Sequence, residues 1–202
     1  MKKAEFPEWS NETEKIATEI YRVTSQIKST SKKLKHRDIS EESFRLFEEN
    51  VYGTLDQWTG STYVGVRKDK SVKKAFQAFF EELYRFLMDC RESDIDVLRG
   101  FAKKALYRGT LYRYLGHGSS TEDCDRKVDP EYDGVYVSWS KKTENSYFRS
   151  KLYGTITLIT CEVTEPYYGI DLAPFKVGNR NEAEVVFPTI QELITDIHYE
   201  DR

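Results

Sequence analysis

Apolar residues recur at helical spacing through the first half of the chain. Four stripes, separated by charged residues, predict four amphipathic helices whose apolar faces pack in a core. The stripes consist of Ile16, Ile20, Val23 and Ile27; of Phe44, Phe47, Val51 and Leu55; of Val72, Phe76, Phe79, Phe80, Leu83, Phe86 and Leu87; and of Leu98 and Phe101. Ser10 and Ser40 are suitable N-caps for the first two helices. Ser93, with Asp96 at capping-box spacing, predicts the start of the fourth.

Beyond residue 105 the pattern changes to short runs that are rich in β-branched and aromatic residues. Such runs predict β-strands. They comprise residues 106–108, 134–138, 155–160, 168–172, 184–187 and 193–197. A short helix over residues 141–150 and a long polar surface loop over 116–133 complete the prediction. Helices followed by strands indicate an α+β fold.

The chain of 202 residues has the length of one domain, and its 39% hydrophobic residues suffice for a packed core. We predict a single domain with a helical extension over residues 1–37, a helical part over 38–105 and a β-rich core over 106–202. The formal net charge of -3 excludes a polycationic protein, so nucleic-acid binding would depend on a local patch. Lysine and arginine cluster in residues 28–37 and 67–74, which are either such a patch or solvated helix faces.

Cysteine usage and the N-terminal sequence predict the compartment. Cys90, Cys124 and Cys161 are odd in number and far apart, which argues against a disulfide framework and favours a reducing environment. They have no metal-ligand spacing with the three histidines, so we predict no metal site. The sequence contains neither the apolar stretch of a signal peptide nor a membrane span. We therefore expect a cytoplasmic protein without a membrane partner, or one injected into a target cell by a signal-independent route.

Two carboxylates stand at the start of an apolar strand. Glu182 and Glu184 are separated by Ala183, and in a regular strand their side chains would point to the same face, about 6–7 Å apart. Like charges side by side cost energy, but paired carboxylates can serve the oxocarbenium-like transition state of a breaking glycosidic bond. The alternative is a solvated strand edge.

Two further positions are suited to binding and orientation. Arg108 ends a predicted strand and precedes Gly109, so its rigid fork of donors could grip phosphate oxygens in bidentate fashion. The alternative for Arg108 is an ion pair with a surface carboxylate. Ser138 lies at a strand end before the predicted short helix, where its hydroxyl either caps that helix or orients a neighbouring carboxylate.

These motifs together resemble the ADP-ribosyltransferase superfamily of the Arg-Ser-Glu class. That class has an arginine on its first core strand, usually in Tyr-Arg-Gly, then a Ser-Thr-Ser strand end and a Glu-x-Glu or Gln-x-Glu strand. The matching segments here are Tyr107-Arg108-Gly109, Ser138-Trp139-Ser140 and Glu182-Ala183-Glu184. Trp139 departs from the small central residue of Ser-Thr-Ser.

An upstream segment extends the resemblance. Residues 58–63, Trp-Thr-Gly-Ser-Thr-Tyr, look similar to the Tyr-Thr-Gly-x-x-Tyr segment of bacterial toxins of this class. The match then covers roughly residues 40–202. Arg67 stands near the point where such toxins often have an asparagine, which is a second departure.

The resemblance implies a fold, a co-substrate and roles. It implies N-terminal helices packed on a mixed, mostly antiparallel split β-sheet core of ADP-ribosyltransferase type, with NAD as the co-substrate. Glu184 would stabilise the cation that develops on the nicotinamide ribose, Ser138 would position Glu184, and Glu182 would align or deprotonate the acceptor. Arg108 would hold the diphosphate or adenosine side of NAD. The other residues expected at the NAD site are Tyr107, Gly109 and Ser140.

Two more residues are candidates for ligand contacts. In the family, the loop before the Glu-x-Glu strand recognises the acceptor, and Phe175 in the corresponding loop would stack on it. The alternative is a loop phenylalanine anchored in the core. Arg149, after the predicted short helix, could reach an NAD phosphate, with surface solvation as its alternative.

The implied activity is mono-ADP-ribosylation of a macromolecule. A glutamate at the first position of Glu-x-Glu, here Glu182, usually accompanies guanidinium acceptors, which favours a protein arginine over an RNA or DNA base. The expected setting is an intracellular toxin, a toxin–antitoxin component with an antitoxin or inhibitor protein as partner, or a phage-defence factor. The competing class is a non-catalytic binding module with the same fold.

Overall fold

The chain forms two compact units in a computed structural model that describes residues 3–9, 15–16, 38–59, 70–116, 135–143, 155–177 and 183–201. The helical unit consists of Met1–Ala105 and Leu172–Asn179. The sheet unit consists of Leu106–Asp171 and Arg180–Arg202. The architecture is α+β, as the order of helices and strands predicts.

The helices of the helical unit follow the predicted stripes. They are α1 (Glu41–Phe47), a π-helical turn (Glu48–Tyr52), α2 (Gly53–Thr59), α3 (Lys70–Glu92) and α4 (Asp96–Ala105). Ser40 caps α1 as predicted, because its Oγ accepts a hydrogen bond from the backbone N–H of Ser43 at 3.3 Å. None of the helices within the described part of the chain is long and apolar enough to cross a membrane.

Two helix predictions differ from the structure or fall outside it. The fourth helix begins at Asp96, and Ser93 does not form the predicted capping box. Its Oγ instead accepts a hydrogen bond from the backbone N–H of Ile95 at 3.2 Å and closes the turn before the helix. The predicted first helix lies outside the described residues except for positions 15 and 16, which are helical.

The core of the helical unit is aromatic. Phe6 stacks on Phe47 with ring centroids 4.5 Å apart, and Phe47 stacks on Phe86 at 5.3 Å. Phe101 meets Phe47 edge to face at 5.8 Å. All seven apolar residues of the α3 stripe are buried, which confirms the predicted inward face of this helix.

Within the described residues, the sheet unit has seven strands in one curled antiparallel sheet. The strands are β1 (Leu106–Tyr107), β2 (Gly109–Gly116), β3 (Tyr136–Ser140), β4 (Thr155–Val163), β5 (Gly169–Asp171), β6 (Glu184–Pro188) and β7 (Ile194–Asp201). Their order is β1-β5-β6-β3-β2-β4-β7. Every strand pair among the described residues is antiparallel, so the expectation of a mixed sheet was wrong for this part of the chain.

The curl of the sheet follows from its connections. Only Arg108 separates β1 from β2, yet β1 pairs with β5 at one end of the strand order whereas β2 pairs with β3 and β4. The bent segment formed by β1, Arg108 and β2 therefore pairs with β5 near one end of the sheet and with β3 and β4 further along it. Between β2 and β3 the described register contains one pair, Tyr112 opposite Ser140.

One face of this sheet carries the hydrophobic core of the sheet unit. The buried members are Leu111, Trp139, Ile159, Cys161, Val163, Val185 and Phe187. Trp139 is 2% exposed, and its indole Nε1–H donates to the backbone oxygen of Phe187 at 3.1 Å. The tryptophan that departs from the Ser-Thr-Ser pattern is therefore a core residue with a satisfied polar group.

Both cysteines in the described ranges are buried free thiols. Burial, with Glu162 adding to it, raises the pKa of Cys161 from 9.0 to about 12. Burial, with Asp89 adding to it, raises the pKa of Cys90 from 9.0 to about 12 as well. Cys124 lies outside the described residues.

The raised thiol pKa values predict a loss of stability at alkaline pH. Above pH 9 the unfolded chain releases the thiol protons first, so the free energy of unfolding should fall as pH rises towards about 12. Urea unfolding between neutral and alkaline pH should show a shallower fall in a Cys90→Ala/Cys161→Ala variant than in the wild type. The two proteins differ only at these two thiols, so equal slopes would contradict the prediction.

Candidate active site

Strand register brings Ser138, Ser140 and Glu184 to one face of the sheet. Ser140 lies directly opposite Glu184 in the β3–β6 pair, and Ser138 precedes Ser140 by two residues. The Ser138 Oγ donates a hydrogen bond to the Glu184 Oε1 at 2.7 Å. Of the two alternatives for Ser138, the structure therefore shows the hydroxyl that orients a carboxylate.

Ser140 has a different task from Ser138. Its side chain is 8% exposed, and its Oγ accepts a hydrogen bond from the backbone N–H of Lys142 at 3.1 Å. Residues 141–143 are not helical, whereas a helix was predicted over 141–150; residues 144–150 lie outside the described ranges. A serine hydroxyl that closes a turn competes with helix formation, which gives a physical reason for this difference.

The backbone departs from strand geometry immediately before Glu184. Ala183 adopts a left-handed conformation with φ 48°, and β6 begins only at Glu184. A left-handed residue interrupts the side-chain alternation of a regular strand. The regular strand that the prediction assumed is therefore not present at Ala183, and Glu182 itself lies outside the described residues.

Lys141 makes two contacts close to Ala183 and the start of β6. Its backbone N–H donates to the Ala183 oxygen at 3.1 Å. Its Nζ forms an ion pair with the Asp171 Oδ2 at 2.6 Å, and the two side chains are 25% and 12% exposed. Asp171 lies opposite Val185 in the β5–β6 pair, so the ion pair ties the end of β3 to β5, next to the start of β6. The position of Glu184 is thus supported from both neighbouring strands.

Register also determines where Arg108 lies. Tyr107 pairs with Gly169 at the start of β5, and Gly109 pairs with Val163 at the end of β4. Residues 164–168 connect β4 to β5. Arg108, between the two paired residues, therefore lies beside this connection, which we call the β4–β5 turn.

The β4–β5 turn surrounds the Arg108 guanidinium. The Nη1 lies 2.8 Å from the Glu165 Oε1, and the Nε donates to the Tyr167 backbone oxygen at 3.3 Å. The guanidinium carbon lies 3.9 Å from the ring centroid of Tyr168, which is a cation–π contact. The ion pair with a surface carboxylate, which was the alternative for Arg108, is therefore one of its contacts. The other two contacts hold the guanidinium in a defined plane.

The Tyr107 ring occupies the space that a side chain at position 109 would need. The Tyr107 hydroxyl donates to the Thr110 backbone oxygen at 3.1 Å, so the ring lies over the Gly109 backbone. A Cβ at position 109 would come within 3.0 Å of the Tyr107 hydroxyl oxygen, and the residue has φ +129°, which side chains strongly disfavour. Burial, with Glu162 and Asp171 adding to it, raises the pKa of Tyr107.

Gly109→Ala should therefore lower the free energy of unfolding by about 1–3 kcal/mol. An alanine is strained at this φ, and the Tyr107 hydroxyl must move to make room for its Cβ. Gly100 of α4 provides the matched control. A Cβ there meets nothing within 4 Å among the described residues outside its own helix. Gly100→Ala should raise the free energy of unfolding by about 0.5–1 kcal/mol. Denaturant unfolding of both variants measures the difference, and effects of the same sign would contradict the argument.

The structure brings some of the predicted residues into contact and leaves others apart. Ser138 contacts Glu184 directly, and Arg113 of β2 donates from its Nη1 to the Ser138 backbone oxygen at 2.8 Å. Within the described ranges, the side-chain contacts of Arg108 are with the β4–β5 turn instead. Arg149 lies outside the described residues.

Phe175 is a core residue, so the expectation that it stacks on an acceptor was wrong. It ends the 3-10 turn Ala173–Phe175 and is 0% exposed. Its ring meets Phe101 at 5.6 Å and Phe47 at 6.3 Å in the core of the helical unit. A fully enclosed ring has no face for a ligand, and the core-anchor alternative is the one observed.

The sequence pattern did not identify the contacts of Arg108 or the Lys141–Asp171 ion pair. Glu165, Tyr167 and Tyr168 stand next to Pro166, whose presence is typical of a turn. That signal indicated a connection between strands but not the residue it would contact. Lys141 and Asp171 are 30 residues apart and carry no shared motif.

Comparisons of the chain with models of protein families, with curated proteins and with solved structures found no match. By its architecture the chain is an α+β protein with a curled antiparallel sheet. In its candidate site, the Glu184 carboxylate on β6 accepts a hydrogen bond from the Ser138 hydroxyl on the neighbouring strand β3. Arg108 lies between β1 and β2.

Proposed function

We propose that the chain is an NAD-dependent mono-ADP-ribosyltransferase and that its sheet is of ADP-ribosyltransferase type, with β1–β2 as the first core strand. The observation that carries the proposal is the 2.7 Å hydrogen bond from Ser138 Oγ to Glu184 Oε1. This contact holds a carboxylate in place on the same sheet that carries Arg108 at its bend. A negative charge positioned before the reaction is effective against a developing cation.

The reaction needs such a charge because of how its first bond breaks. The bond between C1′ of the nicotinamide ribose and the pyridinium nitrogen breaks, its electron pair leaves with nicotinamide, and the ribose acquires oxocarbenium character. Nicotinamide departs as a neutral molecule, so no proton has to be donated to it. Glu184 supplies the negative charge that the ribose requires, and Ser138 keeps that carboxylate oriented.

Transfer then forms a new bond to C1′. A lone pair on a nitrogen or oxygen of the acceptor attacks the carbon, and the acceptor proton passes to a base. Glu182 is the base in this proposal, on the strength of its place in the Glu-x-Glu motif. With water as the acceptor the product is free ADP-ribose, so hydrolysis of NAD is the side reaction of the same site.

Arg108 binds the diphosphate of NAD in this proposal. Its guanidinium is held by the Tyr168 ring at 3.9 Å and by the Tyr167 backbone oxygen at 3.3 Å, so its donors are already oriented. A planar fork of donors matches phosphate oxygens in two-pronged fashion, which an ammonium group cannot do. Tyr107 and Gly109 set the bend at which this arginine stands.

We propose a protein arginine as the acceptor and an intracellular toxin, toxin–antitoxin or phage-defence role as the setting. A carboxylate at position 182 can accept paired hydrogen bonds from a guanidinium. An antitoxin or inhibitor protein would be the partner of such a toxin. Modification of an RNA or DNA base is the other outcome that the acceptor experiment distinguishes.

Two assays test the proposal. Purified protein incubated with NAD should release nicotinamide, which separates an enzyme from a non-catalytic module of the same fold. Cell lysate incubated with NAD labelled on its adenine should then yield labelled protein that survives nuclease and disappears on protease treatment. Label lost to nuclease instead would identify a nucleic-acid acceptor. Nicotinamide release no faster than that of the Glu184→Gln variant would refute the proposed activity.

A further inference from the structure

The β4–β5 turn already presents an anion to the arginine that the proposed function assigns to phosphate. The Glu165 Oε1 lies 2.8 Å from the Arg108 Nη1. The Glu165 side chain is 78% exposed and the Arg108 side chain 33% exposed. Solvent and a dissolved ligand can therefore reach the ion pair.

The other two contacts of Arg108 have a different character. The Tyr168 ring and the Tyr167 backbone oxygen are uncharged, and they hold one face of the guanidinium and its Nε. A phosphate that approaches does not need to displace them. Carboxylate and phosphate oxygens, in contrast, use the same N–H donors of a guanidinium in the same geometry. Glu165 is thus the contact with which a phosphate ligand has to compete.

We propose that Glu165 sets the affinity of Arg108 for the diphosphate of NAD, and of the product ADP-ribose, by competing for the same guanidinium. This inference rests on the proposed function and identifies its affinity-determining residue. An exposed ion pair is weak, so Glu165 can be displaced at little cost. Its charge nevertheless opposes the diphosphate near Arg108, which weakens binding and hastens release of the product.

The variant Glu165→Gln tests the competition, since it keeps the shape of the side chain and removes its charge. The dissociation constants of NAD, ADP-ribose and inorganic diphosphate should each fall about five-fold at low ionic strength, as measured by calorimetry. The difference should shrink as salt is added, because exposed charges are screened. KM for NAD should fall while kcat for nicotinamide release changes little. Glu165→Asp keeps the charge and should remain closer to the wild type.

A double-mutant cycle isolates the pairing with Arg108. In an Arg108→Gln background, which should bind NAD more weakly, Glu165→Gln should have no further effect on the dissociation constant. Glu192 provides the matched control for a lost charge, because its side chain is exposed in the turn Gln191–Leu193. Glu192→Gln should leave the affinity for NAD unchanged.

The outcomes separate failure of the inference from failure of the proposed function. If Arg108→Gln weakens NAD binding but Glu165→Gln behaves like Glu192→Gln, Glu165 does not compete and only the inference is wrong. The inference is also wrong if Glu165→Gln tightens binding equally in the Arg108→Gln background, since the effect would then not pass through Arg108. If neither NAD nor diphosphate binds the wild type or any variant, the proposed function and the inference both fail.

Discussion

Glu184→Gln should reduce the rate of NAD cleavage about a thousand-fold while the protein remains folded. Glutamine has nearly the same volume, and its amide oxygen can still accept the hydrogen bond that Ser138 donates to Glu184 at 2.7 Å. The negative charge is lost, and one carboxylate oxygen is replaced by an NH2 group. Removal of a preorganised electrostatic contact to a transition state costs about 3–4 kcal/mol, which corresponds to a rate factor on the order of 10²–10³.

Nicotinamide release at saturating NAD measures this effect, and thermal unfolding verifies that the variant is folded. Ser138→Ala should have a smaller effect, about ten-fold, because the carboxylate keeps its charge and loses only its orientation. Glu192→Gln removes an exposed charge elsewhere and should leave the rate unchanged. Near-normal turnover in folded Glu184→Gln protein would show that Glu184 is not the group that faces the ribose cation.

Phe175→Ala should lower the free energy of unfolding by about 3–5 kcal/mol, the typical cost of removing a buried aromatic side chain. Phe175 is 0% exposed, and its ring contacts Phe47, Tyr52 and Phe101. Truncation therefore leaves a cavity among these rings. Urea unfolding measures the loss.

The variant Phe175→Leu distinguishes a core role from an acceptor role. Leucine fills much of the same space, so the free energy of unfolding should fall by less than in Phe175→Ala. KM for the acceptor should stay at its wild-type value in Phe175→Leu, because a buried ring does not contact the acceptor. A raised acceptor KM together with near-normal stability would restore the stacking role for Phe175.

Helices with many regularly spaced apolar residues could be predicted from the sequence. The α3 stripe contains seven such residues over four turns, and all of them are buried. A single residue that departs from such a long pattern does not change the predicted helix. The start of α4 depended on one serine, Ser93, and was predicted two residues too early because a hydroxyl closes a turn as readily as it caps a helix.

The strand that crosses Gly109 was predicted only in its first part. Glycine is usually a strand breaker, so the predicted strand ended at Arg108. In the structure the chain bends at Gly109, with φ +129°, and continues as β2 to Gly116. The bend is tolerated because β2 pairs with β3 and β4 on its two sides. Those pairings are remote in sequence, so local pattern does not reveal them.

The local sequence pattern also did not reveal the backbone conformation between the candidate carboxylates. The pattern Glu-x-Glu indicated chemistry at residues 182–184, but the expectation that both side chains share a face assumed a regular strand. Ala183 has φ 48°, so the assumption fails at the residue between them. The Lys141 backbone N–H, immediately after β3, donates to the oxygen of this left-handed residue.

The amino-acid sequence alone was enough to identify the reactive groups and to place Arg108, Ser138 and Glu184 on or beside strands, because periodicity and residue type are local properties. Ser138 was expected at a strand end, whereas it lies in the middle of β3. Which group each of the three residues contacts depends on the tertiary structure. Ser138 and Glu184 are 46 residues apart in sequence, and Arg108 and Glu165 are 57 apart. Each contact depends on strand register, in which a shift of one residue turns every side chain to the opposite face, and register is set by packing of the whole sheet.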